Sequence, residues 1–354
     1  MSSSNYTVEH KASVKNGIGR MIISTLIILA ELYIIISLFY RFIVYAAWLQ
    51  VAERVVAIGL ILWIHNSNRV NNIKTPWIIL IAVLPIIGSS LFLISGLNGA
   101  TRKMKKRYQA IDADLLPRLT TGPAGERAET ALENLKSFSP QLSGLSQHLI
   151  RSSFYPVYQN TDILYYDDAA KALEAQKEEL RKAEKFIFME YHAIEDAQSW
   201  QGIQEILEER AKAGVEVRVF YDDMGSIGFI TMDFAHRLEK TGIQCRVFNP
   251  LKPVFNLFLN NRDHRKITII DGKTGFTGGY NLANEYFHRT EPFGFWKDTG
   301  LRLEGNAVNS LTITFLEMWN AVNEKDRDDS DFSKYLHFVP APAQPRQAKA
   351  EQKT

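Results

Sequence analysis

The sequence predicts an α/β protein: apolar helices that cross a membrane at the N-terminal end, then one lobe built on a mixed β-sheet flanked by helices. Three observations predict it. Residues 77–97 (WIILIAVLPIIGSSLFLISGL) form a run of 21 residues without a charge, long enough as a helix to cross a hydrocarbon core of roughly 30 Å. From about residue 154 onward, short apolar runs alternate with polar, helix-forming stretches, the pattern of strands covered by helices. Glycines at 214 and 242 close two of those stretches, as helix C-terminal glycines do.

Each element follows in order. Residues 1–100 read as a membrane segment with two to three transmembrane helices. One lies within 21–45, one at 76–97, and a third is expected at 42–64, where Glu53 and Arg54 interrupt the apolar run. The apolar stretch near the start is too long for a cleaved signal core, so an anchor is expected instead. Arg102, Lys103, Lys105, Lys106 and Arg107 follow at once. That cluster predicts a multi-pass protein of the cell membrane with its lobe on the cytoplasmic side, and it also attracts anionic lipids. Residues 101–150 read as a polar, basic juxtamembrane connector, mostly helical, with a break at 120–125 (TTGPAG).

The lobe spans 151–330. Strands are expected at 162–165, 186–192, 215–221, 243–249, 265–271, 274–278 and 299–304. Helices are expected at 169–185, 200–213, 231–241 and 306–320. Residues 331–354 are expected to form a disordered tail, the last sixteen being rich in Pro, Ala, Gln and Lys.

Composition excludes several functions. Lys and Arg number 41 against 39 Asp and Glu, a net charge of +2, so no overall electrostatic grip on nucleic acid is expected. The single cysteine, Cys245, supports neither an internal disulfide nor a cysteine-rich metal site.

The chemistry concentrates in 261–286 (NRDHRKITIIDGKTGFTGGYNLANEY). His264 and Lys266 are two apart on a strand and project from one face. Two such groups repel when buried and charged, but at a strand end they can share one phosphate. The ammonium neutralises an oxygen, and the imidazole attacks phosphorus or moves a proton near neutral pH. Asp271 has the opposite parity. It reaches their face only if a bulge re-aims it; otherwise Asp271-Gly272 is a hairpin turn. Gly278 and Gly279 allow a backbone to approach a ligand closely. Asn281 either donates its amide to a phosphoryl oxygen or caps the helix that follows. Tyr221, Asp222 and Asp223 end a strand and are either site residues or a capped turn. Residues 253–262 are either a membrane-dipping or lid loop or a core-packing segment, and Glu285 and Trp296 are expected to support the site.

The ordered set His264, Lys266, Asp271, Gly278, Gly279 and Asn281 resembles the His-x-Lys-x4-Asp motif of the phospholipase D superfamily, and in particular the bacterial cardiolipin synthases. The resemblance extends to about residue 325 through 76–96, YPVYQNTDILYYDD, EYH at 190–192, VEVRVFYDDMGS and WKDTGLRLEG. It implies a phospholipase D-type lobe in which His264 is the nucleophile or the acid/base. It implies that Lys266 and Asn281 bind phosphate oxygens, and that Asp271 supports a histidine. The implied reaction condenses two phosphatidylglycerols to cardiolipin and glycerol through a phosphohistidine, with no metal and no cofactor.

The motif occurs once: of the eight histidines only His264 has a lysine two positions on. The synthases it resembles carry two motifs, and too few residues follow 330 for another lobe. Three readings stay open. A homodimer pairs two single motifs into one site. The chain is a truncated, catalytically incomplete homologue that associates with a two-motif synthase. Or it is a membrane-anchored single-motif phosphodiesterase.

Overall fold

The computed structural model describes residues 14–43, 47–68, 70–96, 99–250, 262–322 and 331–339. The chain divides into two compact units, one built on Ile18–Lys105, the other on Lys106–Pro250 and the residues from Arg262 onward.

In the first unit, helix α1 (Val14–Ile43) contains Met21–Tyr40, the one helix among the described residues long and apolar enough to cross a membrane. Helices α2 (Ala47–Asn66), α3 (Asn71–Val83) and α4 (Pro85–Gly96) follow. The expected span at 76–97 is not one helix. It breaks at Leu84 (φ −128°, ψ 73°), because the ring of Pro85 bars its predecessor from helical geometry. Helix α4 then doubles back so closely that a Cβ on Gly88 would lie 2.7 Å from the Leu80 carbonyl oxygen and the Ile81 Cα. Helices α3 and α4 measure about 20 Å and 18 Å, short of the roughly 30 Å of a bilayer core. Phe92 closes this hairpin, packing edge-on against Trp63 and Trp77 at 5.8 and 5.4 Å.

In the second unit the connector is helical as expected: the C-terminal part of α5 (Gly99–Leu115), then α6 (Pro117–Thr120), α7 (Gly122–Phe138) and α8 (Pro140–Ser153). Lys105 and Lys106 are exposed, as a basic collar requires. Arg107 is instead tied to the lobe, donating to the carbonyl of Ala321.

The lobe runs β1 (Thr161–Tyr166), α9 (Ala169–Arg181), β2 (Phe186–Tyr191), α10 (Gln198–Lys212), β3 (Glu216–Asp222), α11 (Asp223–Ser226), α12 (Phe234–Lys240), β4 (Gln244–Phe248), β5 (Lys266–Ile270), β6 (Thr274–Gly278), β7 (Gly300–Gly305) and α13 (Val308–Val322). The seven strands form one mixed sheet in the order β1-β7-β6-β5-β2-β3-β4. Strands β2, β3 and β4 are parallel, and every other pairing is antiparallel. Parallel strands need crossovers, which α10 and α12 supply.

Alternation along β2 sorts its side chains between two layers. Ile187, Met189 and Tyr191 join Leu173, Leu180, Trp200, Ile203 and Leu207 in the core under α9 and α10. Phe188 faces the other way and stacks on Phe315 of α13 at 4.7 Å. On that side the buried Arg218 guanidinium lies over Phe188, Trp319 and Tyr335, 5.0 to 5.3 Å from the ring centroids, and donates to the Tyr335 hydroxyl at 2.8 Å.

Tyr335 belongs to the stretch expected to be a disordered tail. Residues 331–339 instead lie on the lobe. Phe332 and Tyr335 are buried. The side chains of Asn306 and Asn309 mimic a strand edge, accepting the amides of Val339 and His337 at 2.7 Å each. The polar composition hid this, because two aromatic anchors and two asparagines carry the contact. Residues 340–354 lie outside the described residues. Tyr335→Ala is expected to lower stability by about 3–5 kcal/mol, the cost of an emptied aromatic site, with Arg218 losing a partner as well. Thermal unfolding of the full chain in detergent measures it.

Candidate active site

The site forms at one end of the β2–β5 pair, where the carboxyl ends of β2 and β3 meet the start of β5. The register places Tyr191 opposite Lys266 and Met189 opposite Thr268. A buried network under this face fixes the pair: the Tyr191 hydroxyl lies 3.0 Å from Thr268 Oγ1, and Gln176 donates to Thr268 at 2.8 Å and accepts from Tyr280 at 3.0 Å.

His264 and Lys266 lie together, as their spacing requires. Lys266 Nζ is 2.9 Å from the His264 carbonyl oxygen and 3.2 Å from His264 Nδ1. His264 is exposed and Lys266 is buried. Burial lowers the Lys266 ammonium to about 8, against the attraction of Asp263 and Asp298. Partial burial, then Lys266 and His192, hold the His264 imidazole below its ordinary range. Near neutral pH this gives a neutral imidazole beside a cation, the state that phosphorus attack and oxyanion binding require.

Asp271 is not brought to them. It stands at the far end of β5, seven extended residues from His264, on the order of 20 Å. There, at φ 54°, it turns into β6. Its carboxylate accepts the amides of Glu184, Lys185 and Phe186 at 2.9, 2.7 and 2.9 Å. It anchors the entry of β2 and orients no histidine.

The two glycines serve the chain itself. A Cβ on Gly279 would lie 2.2 Å from a carboxylate oxygen of Asp298, and one on Gly278 would lie 2.5 Å from the Thr299 carbonyl. They let β6 close on 298–300. Asn281 links the site to β2: Oδ1 accepts the Ala193 amide at 3.1 Å, and Nδ2 donates to the Tyr286 hydroxyl at 2.9 Å. One amide hydrogen stays available for a ligand oxygen.

Tyr221, Asp222 and Asp223 divide. Tyr221 is core. Asp222 is both the cap and the clamp, accepting the Gly225 amide at 3.0 Å, the Asp263 amide at 2.9 Å and Arg262 at 3.2 Å. Residues 253–261 lie outside the described residues. Trp296 packs at 5.4 Å on Tyr286, the residue whose hydroxyl accepts from Asn281.

Three contributors had no separate signal in the sequence. His192, just past β2, has its ring centroid 4.7 Å from that of His264. Asp298 sits against Gly279; the glycine pair was the one available sign of a close neighbour. Beneath lies a buried charge cluster in which Arg265 Nε contacts Glu190 at 2.9 Å and Asp263 at 3.1 Å. Burial raises the Glu190 carboxyl well above its usual range. Among the described residues no group of three or more His, Cys, Asp or Glu is placed to hold a metal ion.

Comparison with known proteins agrees with this architecture. Residues 177–319 match the family model described as cardiolipin synthase, PLD-like domain. The chain belongs to the phospholipase D superfamily, with a PLD-like domain of the cardiolipin synthase type. It is similar to an uncharacterised protein of Streptococcus mutans, 40% identical over 284 residues, covering 79% of this chain and 58% of that one. A cardiolipin synthase of Halalkalibacterium halodurans is 31% identical over 297 residues (83% and 57%). A probable cardiolipin synthase of Bacillus subtilis is 33% identical over 267 residues (73% and 50%). The chain thus spans about half the length of the curated relatives it matches.

Two predictions follow from the geometry. Asp271→Ala should lower the unfolding midpoint while leaving kcat per folded molecule nearly unchanged, because a positional anchor and not a reacting group is removed. Asp298→Asn removes an attraction that supports the Lys266 ammonium. The alkaline limb of the pH–rate profile, expected near 8 in the parent where Lys266 loses its proton, should therefore move to lower pH.

Proposed function

We propose that the chain is a phosphatidyltransferase of the cardiolipin synthase type, acting on phosphatidylglycerol in the cell membrane. The observation that carries this reading is the exposed His264 with Lys266 Nζ 3.2 Å from its Nδ1 at the open end of β5. His264 attacks the phosphorus of one phosphatidylglycerol, and the bond from phosphorus to the headgroup oxygen breaks. Glycerol leaves once that oxygen takes up a proton. The headgroup hydroxyl of a second phosphatidylglycerol then attacks the phosphohistidine and gives up its proton, the N–P bond breaks, and cardiolipin forms. Lys266 and the spare Asn281 amide hydrogen stabilise the non-bridging oxygens.

An in-line displacement puts entering and leaving groups on opposite sides of phosphorus. The proton donor must therefore face His264 across the substrate. His192 stands beside His264, on the nucleophile's own side. A second His-x-Lys set fills the opposite position in this reading, from a second copy of the chain or from a further lobe of a two-motif synthase. The membrane location rests on the apolar helix Met21–Tyr40. The cytoplasmic side rests on the cations that follow the apolar runs; a second crossing rests on α2, since α3 and α4 are each too short. A lipid substrate also suits the rim of the site, where Phe293 and Phe295 are 75% and 69% exposed beside Trp296.

Full-length protein in mixed micelles with phosphatidylglycerol should release glycerol and form cardiolipin, and His264→Ala should reduce this by about 10³-fold or more. Lipid product analysis with glycerol quantitation decides it. Hydrolysis of phosphodiesters without cardiolipin would favour a phosphodiesterase. No turnover except with a two-motif synthase present would favour the incomplete homologue.

A further inference from the structure

The site holds a second imidazole, beside His264, that the proposed cycle does not use. His192 Nδ1 lies 2.6 Å from the carbonyl oxygen of Asp263. A carbonyl only accepts, so Nδ1 carries the hydrogen. Asp263 directly precedes His264, so this bond holds the peptide that carries the nucleophile. The amide of the same residue is held by Asp222 Oδ2 at 2.9 Å. Residue 263 is therefore gripped on both its N–H and its C=O, just before the chain exposes His264.

His192 is itself fixed from three directions. A Cβ on Gly225 would lie 2.8 Å from both Cε1 and Nε2 of its ring and 2.2 Å from its carbonyl oxygen, so the turn after β3 fits the imidazole only as glycine. The next two amides are captured, Ala193 by Asn281 Oδ1 and Ile194 by Ser226 Oγ, each at 3.1 Å. The ring meets that of His264 at 4.7 Å and 49°. A space-filling ring would need no donor at Asp263, and phenylalanine would serve there; the 2.6 Å contact is specific to an N–H.

We propose that His192 is a positioning residue for His264: its Nδ1–H clamps the Asp263 carbonyl and its ring fixes the plane of the nucleophilic imidazole. The inference rests on the reading of His264 as the phosphoryl acceptor. The neighbouring imidazole also helps hold His264 in its neutral form.

The test compares His192→Ala, His192→Phe and His192→Asn in the full chain in detergent. Asparagine can place an amide N–H where Nδ1–H stands, and phenylalanine keeps the ring without the donor. Two readouts are taken: turnover of phosphatidylglycerol, and the pH dependence of His264 carbethoxylation by diethyl pyrocarbonate, followed by mass spectrometry without substrate. kcat should fall about 100-fold in the Ala and Phe variants, the scale of a misplaced reacting group. It should recover to within about tenfold of the parent in the Asn variant, with KM little changed. The midpoint of His264 modification should move to higher pH in all three. Parent-like kcat in the Ala and Phe variants overturns the proposal. So does an Asn variant as slow as the Ala variant at equal folded fraction, or a His264 midpoint that does not move. If the parent does not turn over phosphatidylglycerol, the functional reading fails, while the carbethoxylation profiles still decide the role of His192.

Discussion

The antiparallel pairing of β2 with β5 is the interaction on which the rest of the lobe depends. It joins the parallel part of the sheet (β2, β3, β4) to the antiparallel part (β5, β6, β7, β1). All residues of both strands are buried, so a one-residue slip would turn each side chain to the wrong layer. The pairing is secured at both ends. At one end Asp271 captures three successive amides at the entry of β2. At the other, His192 and Asp222 grip residue 263. Between them runs the Tyr191–Thr268–Gln176 network.

The layer beneath the site is charged where a core is ordinarily apolar. Glu190, Asp263 and Arg265 lie together under His264. Further along, Glu317 of α13 meets Asp112 of α5, and burial with the neighbouring carboxylate raises Glu317 to about 7. Buried ion pairs contribute little net stability, because desolvation offsets their attraction. What they contribute is orientation, since a buried guanidinium must be met by acceptors at fixed angles. Arg265 directly follows His264, so the frame that holds one side chain also limits the other. Arg218 performs the same service beside Trp319 of α13, boxed by three aromatic rings.

Much of this was legible in the residues. Short apolar runs between helix-forming stretches located the strands, and glycines 214 and 242 ended two helices where expected. The spacing of His264 and Lys266 put both at one strand end. Other features depended on contacts that sequence does not record. The parity of Asp271 left two readings open, and the hairpin turn is the one found; what the sequence did not record is that its carboxylate takes the backbone amides at the entry of another strand. Residues 77–97 carry the composition of a span, but Leu84-Pro85 breaks the helix and Gly88 permits it to fold back. His192 carried no signal of its own, since its meaning comes from a carbonyl 71 positions away. Residues 331–339 looked like tail because Phe332 and Tyr335 are sparse anchors in polar surroundings.

The constant distance between the motif's lysine and its aspartate acquires a mechanical sense. The five residues of β5 are a length gauge with a jaw at each end. One jaw holds His264 at the surface with Lys266 buried beside it, and the other seats a carboxylate on three amides. An insertion of one residue would invert every facing in the strand. An insertion of two would restore the facing but overshoot the amides by about 7 Å. Neither jaw tolerates the error of the other, so the interval is a tolerance set by the sheet, and the carboxylate's part in the chemistry is to hold the measure true.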